Sequence, residues 1–216
     1  MKTRPILFNG EMVRAILAGR KTQTRRVVKT KNEKPFQFLG VNAIRTFAYF
    51  GDDASSCVLD DAVGFPYGQP GDRLWVRETW RALSSRFDYR ADYPQTWERG
   101  EHDVETDDPS GRLILRAEDY KWRPSIHMPR EASRITLEVK AVRVERVQEI
   151  HSHDALAEGI FYKTGSYELE WFTPNQRDAQ RVEDFKKLWN SINEKRGSGW
   201  EKNPWVWVIE FERVTA

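Results

Sequence analysis

Polar and apolar residues follow two rhythms along this chain, and the changes between them mark its elements. Pro5-Ile6-Leu7-Phe8 is a short apolar run that stops at Asn9-Gly10. From Glu11 to Ala18, Met12, Ala15 and Ile16 recur at helical spacing, which predicts a first helix. Asn9 is placed to cap it, Glu11 suits its first turn, and Gly19 suits a left-handed exit. The chain then turns sharply, and Arg20 to Val28 alternates charged and β-branched residues as an exposed strand does.

Period-two alternation returns three more times. Pro70-Gly71-Asp72 is a turn that launches a strand from Arg73 to Trp80, with Arg73, Arg77 and Glu78 near solvent. From Arg134 to Val144, Ile135, Leu137 and Val139 share one face against polar partners. Trp205 to Val214 is the strongest strand pattern, and its apolar N-terminal half implies burial on both faces. Helical spacing reappears twice. Ser152 caps a short helix through Ala155, Leu156 and Glu158, closed by Gly159. Val182, Phe185, Leu188, Trp189 and Ile192 form an amphipathic stripe from about 179 to 194. Residues 29–68 read as irregular with short strands, and the acidic, turn-rich segment 84–112 reads as an insertion over the surface. The order of elements suits one α+β domain spanning 1–216, a small β-barrel flanked by helices.

Composition narrows the picture. The net charge of +2 argues against a polycation that coats nucleic acid, so any anion binding must be local. Residues 1–31 carry nine basic side chains against Glu11 alone, whereas residues 88–119 carry ten carboxylates against four arginines. Cys57 is the only cysteine, the start of the chain lacks signal-peptide order, and no run approaches the ~18 apolar residues of a membrane span. These features lead to the expectation of a cytoplasmic protein with no membrane partner and no obligate protein partner. His151 and His153 share a spacing that sets two imidazoles on one strand face, but no third ligand stands out, so neither a metal nor a cofactor is expected.

The segment Gly19-Arg20-Lys21-Thr22-Gln23-Thr24-Arg25-Arg26 resembles the N-terminal signature of ASCH-domain proteins: a helix, glycine, a basic residue, lysine, then a strand bearing Thr and Arg. Residues 70–80, 124–129 and 203–211 resemble further shared segments of such proteins, many encoded by bacteriophages or prophages. The resemblance implies a PUA-like fold and binding of RNA or a modified nucleoside. Small bacterial members hydrolyse the acetyl amide of N4-acetylcytidine with a Lys, a Thr and a Glu, so the resemblance implies catalytic roles for Lys21, Thr24 and Glu158. A threonine needs a neighbouring base to become a nucleophile, and a desolvated lysine among cations is such a base. Two alternatives stand beside this reading. The first is a non-catalytic RNA or modified-nucleobase module gripping phosphate through Arg20, Arg25 and Arg26, with Arg77, Glu78 and Trp80 lining the pocket and Trp75 or Trp80 stacking on a base. The second is a ribonuclease, as reported for some ASCH relatives.

Overall fold

The computed structural model describes residues 1–29, 37–41, 47–51, 61–82, 87–92, 121–161 and 172–214. In chain order the elements are β1 (Thr3–Leu7), α1 (Gly10–Leu17), β2 (Gln23–Val27), β3 (Gln37–Val41), β4 (Phe47–Gly51), β5 (Asp61–Gly64) and β6 (Arg73–Arg77). Then follow β7 (Trp80–Ala82), β8 (Phe87–Tyr89), β9 (Thr136–Arg146), α2 (Ser152–Ala157), α3 (Pro174–Asn193) and β10 (Trp205–Arg213). The main sheet has the order β1-β6-β9-β10-β2, parallel between β1 and β6 and antiparallel elsewhere. Strands β3-β4-β5 form a second sheet and β7-β8 a third. No helix among the described residues is long and apolar enough to cross a membrane.

The chain is therefore a mixed α+β protein, and one expectation is corrected. Among the described residues the main sheet does not close into a barrel, since β1 and β2 remain its two edges. It does curl. The Arg26 guanidinium on β2 donates to the Leu7 carbonyl on β1 at 2.6 Å, and Phe8 packs on Phe211 with ring centres 6.1 Å apart. A side chain thus bridges the edges where a barrel would have a ladder.

Strand β10 is buried on both faces, as its apolar run implies. Trp207 and Ile209 join a core with Ile6, Val13, Ile16, Leu74, Val76 and Leu137. Val206 and Val208 face the other way, against Phe185 and Trp189 of α3. Helix α3 begins about a turn and a half before the apolar stripe suggests, because Thr173 caps it, Pro174 opens it and Gln176 completes a capping box. That Thr-Pro-x-Gln signal stands in the sequence but carries no apolar residue.

The described part of the acidic segment, residues 87–92, is built into the fold. Strand β8 pairs with β7, and Ala91 is buried in the main core beside α1. Residues 84–86 and 93–112 lie outside the described residues, as do 30–36, 42–46 and 52–60 of the segment expected to be irregular.

Candidate active site

The site is assembled where α1 ends. Asn9 caps the helix by accepting from the Met12 N–H at 2.8 Å. Gly19 adopts φ +70°, and the N–H groups of Arg20 and Lys21 both donate to the Ala15 carbonyl. This exit swings the Lys21 side chain inward. Lys21 is 2% exposed, and its amine donates to Glu158 Oε2 at 2.7 Å, to the Gln23 carbonyl at 2.8 Å and to the Glu158 carbonyl at 2.8 Å. Burial pushes the Lys21 amine below the ordinary lysine range. Glu158 works against that shift, while Arg26 and Arg25 add to it.

Glu158 arrives from the end of α2, which is pinned to the start of β2 by the Thr22 N–H donating to the Ala157 carbonyl at 2.9 Å. Gly159 follows with φ +95°. A Cβ there would lie 3.2 Å from the Ala15 Cβ and 3.3 Å from the Lys21 Cβ, so glycine lets α1, Lys21 and α2 approach this closely.

Alternation along β2 divides its side chains. Gln23 and Arg25 point to one face, Thr24 and Arg26 to the other. The expected exposed strand is corrected here, because Gln23, Thr24 and Arg25 are all buried. Its polar side chains are held inside because both terminal nitrogens of Arg25 find partners. Arg25 donates to Gln23 Oε1 at 2.7 Å and to Glu158 Oε1 at 3.3 Å, and pairs with Glu145 at 3.2 Å and Asp154 at 3.3 Å. Arg143 extends the network to Glu145, Glu210 and Asp154. Burial pushes the Asp154 carboxyl upward, but Arg25 and the His151 N–H more than offset it and leave it below the usual range. Sequence reasoning missed Asp154, Glu145 and Arg143. The signals were the four-residue spacing of Asp154 and Glu158, which puts both on one helical face, and the parity of Arg143 and Glu145 on β9.

Thr24 is 1% exposed and faces the core opposite Ile209. It shares its side of β2 with Arg26, whose guanidinium lies over the Phe8 ring at 5.2 Å. The Lys21 amine lies 5.8 Å from the same ring. The three acceptors of the Lys21 amine do not include Thr24.

The other predicted residues disperse. Arg20 lies over the Phe161 ring at 5.0 Å, so Arg20, Arg25 and Arg26 point toward three different partners and form no common phosphate grip. Arg77 stacks on Trp75 at 4.6 Å, with Arg130 at 5.8 Å from the same ring. Glu78, expected near solvent, is 1% exposed and pairs with Arg134 at 3.0 Å; burial raises its carboxyl despite that partner. Trp80 is buried against Phe87 and Met128, so neither expected stacking surface is open to a base. His151 and His153 sit at the start of α2 rather than on a strand, and their rings stack 5.7 Å apart.

Two clefts adjoin this assembly. A cleft of about 620 Å³ is lined by Thr22, Gln23, Arg143, His151, His153 and Asp154 among others, on the β2 face opposite Thr24. A smaller pocket of about 190 Å³ lies between α1 and α3, lined by Asn9, Met12, Ala15, Glu158, Ile160 and Leu188 with Glu11 and Gly159. Comparison of the chain with protein-family models, with curated proteins and with solved structures gives no match.

Proposed function

We propose that this chain is an ASCH-type, PUA-like hydrolase that removes the acyl group from an N4-acylated cytidine nucleoside or nucleotide, using Lys21, Thr24 and Glu158. One observation carries the reading: residues 137 positions apart in sequence form a buried lysine–carboxylate pair 2.7 Å apart. The curl of the main sheet and the helix–glycine–strand exit into Lys21 support the fold assignment.

The chemistry follows from the proton positions. All three N–H donors of Lys21 are engaged, so the amine begins as a charged donor. Burial favours moving one proton onto Glu158, which leaves a neutral amine beside a carboxylic acid. The amine then takes the Thr24 hydroxyl proton as Oγ bonds to the acyl carbon. The C–N4 bond breaks, N4 leaves with the proton from Glu158, and cytidine departs. Water, deprotonated by the Glu158 carboxylate, attacks the Thr24 ester; the Lys21 ammonium returns a proton to the departing Thr24 Oγ, and a carboxylic acid is released. The pocket between α1 and α3 supplies the approach to Glu158.

Incubation of purified protein with N4-acetylcytidine should release cytidine, read by chromatography, and mass spectrometry should find an acylated protein carrying the modification on Thr24. The Thr24→Val variant should do neither. No release by wild-type protein at high enzyme concentration sinks the reading. Binding of a modified nucleoside or RNA without chemistry is a second reading, favoured by the volume of the larger cleft and by the absence of Lys21 and Thr24 from the lining of both clefts. Affinity that falls as salt rises, without turnover, selects it.

A further inference from the structure

The sequence pattern put Arg25 in an anion-binding cluster, yet its side chain is 1% exposed and both terminal nitrogens of its guanidinium are engaged inside the protein. Its contacts have a particular arrangement. One terminal nitrogen reaches Gln23 Oε1 and Glu158 Oε1, and the other terminal nitrogen reaches Glu145 and Asp154. The Glu158 carboxylate is thereby divided, with Oε1 toward Arg25 at 3.3 Å and Oε2 toward Lys21 at 2.7 Å.

We infer that Arg25 is a positioning residue that holds Glu158 by one oxygen and so limits how strongly that carboxylate retains the proton on Lys21. A carboxylate that faced the amine with both oxygens would oppose the effect of burial most strongly and lock the lysine as ammonium, a structural ion. Drawing part of the carboxylate charge toward a guanidinium, which cannot itself lose a proton, loosens that lock. Gln23 is the second element of the device. Its Oε1 fixes the Arg25 nitrogen that faces Glu158, and its side chain also bonds Asp154, so it sets the direction of the guanidinium without adding charge. The titratable and charged groups facing this cluster come from every packed element: Arg25 and Arg26 from β2, Glu145 and Arg143 from β9, Glu210 from β10, and His153, Asp154 and Glu158 from α2 and its end. Helix α3 contributes the uncharged Phe185 ring, 5.7 Å from the Arg25 guanidinium.

The role of Lys21 as base rests on the hydrolase reading, but the proton equilibrium does not, so the test separates them. Two charge-conserving variants are compared with wild type: Gln23→Met, which removes the acceptor that aims the guanidinium, and Arg25→Lys, whose ammonium cannot span the same partners. The Lys21 side-chain carbon next to the amine is followed by NMR through its titration, assigned by its loss in Lys21→Met. The titration is expected to move upward in both variants. Hydrolysis of N4-acetylcytidine near neutral pH should fall by up to roughly 100-fold, the cost of misplacing a reacting group by about an ångström, with the rise of rate with pH displaced in the same direction.

Should Arg25→Lys fail to fold, Gln23→Met carries the test alone, since it leaves every charge in place. An unmoved Lys21 titration in folded Gln23→Met overturns the inference. A moved titration in a protein that never releases cytidine sustains it while removing the hydrolase reading.

Discussion

Two buried carboxylates in this molecule have opposite partners. The Glu78 carboxylate, just after β6, meets only guanidinium among the described residues: Arg134 donates to both of its oxygens, at 3.0 and 3.1 Å, and reaches on to Asp92 with two further bonds of 2.8 Å. Glu158 meets a guanidinium on one oxygen and an amine on the other. An arginine does not give up its proton, so the Glu78 pair can only hold segment 87–92 to the body of the protein. A lysine does, so the Glu158 pair can exchange one. Similar burial gives a clamp in one place and a candidate acid–base pair in the other, and the difference lies in one partner's chemistry.

Substitutions at the two carboxylates sharpen this contrast most. Glu158→Gln leaves a buried amine without its counter-ion and should cost about 3–5 kcal/mol in chemical denaturation. It should also remove about 10²–10⁴ of any hydrolytic rate. Glu78→Gln leaves Arg134 partly exposed and still held by Asp92, so a smaller loss of about 1–3 kcal/mol is expected, with hydrolysis of the acylated nucleoside unchanged. Equal stability costs would break the comparison.

The packing that brings Lys21 to Glu158 is tested next. Gly159→Ala puts a methyl against Ala15 and Lys21 at a left-handed φ, and should destabilise by about 1–3 kcal/mol.

The pH dependence of stability separates the two carboxylate sites by sign. Lys21 titrates lower in the folded chain than its ordinary 10.5, so the unfolded chain holds more protons just below that value. Stability should therefore rise with pH in the window ending there, and lose that rise in Lys21→Met. Glu78 titrates above its ordinary 4.5 because burial outweighs Arg134. The folded chain then holds more protons above 4.5, so stability should fall as pH rises through that window, and this fall should vanish in Glu78→Gln. Denaturation midpoints across pH check both slopes. The smallest effect is expected at Arg20, an exposed residue over Phe161; Arg20→Ala should change stability by less than about 0.5 kcal/mol.

The elements that were legible in the sequence are those whose pattern is local. The Asn9 cap, the Gly19 exit, the two-faced burial of β10 and the alternation of β9 all follow from spacing within a few residues. The pairing of Lys21 with Glu158 came from a family resemblance and not from spacing, since no short-range pattern links positions so far apart. Arg25 was misread for a related reason. An arginine on an alternating strand looks solvent-facing until the carboxylates that bury it are known, and those come from β9 and α2. The small barrel expected from the order of elements does not close among the described residues, because strand count and order do not say whether the last edge meets the first. Here Arg26 fills that gap.

The most direct test of the central claim compares wild-type protein with Lys21→Arg on N4-acetylcytidine. Arginine keeps the positive charge and a salt bridge to Glu158 but cannot serve as a base near neutral pH. The account predicts cytidine release by the wild type and a rate at least about 10²-fold lower in the variant, with cooperative unfolding preserved. Comparable release by both proteins, or none by the wild type, would contradict it.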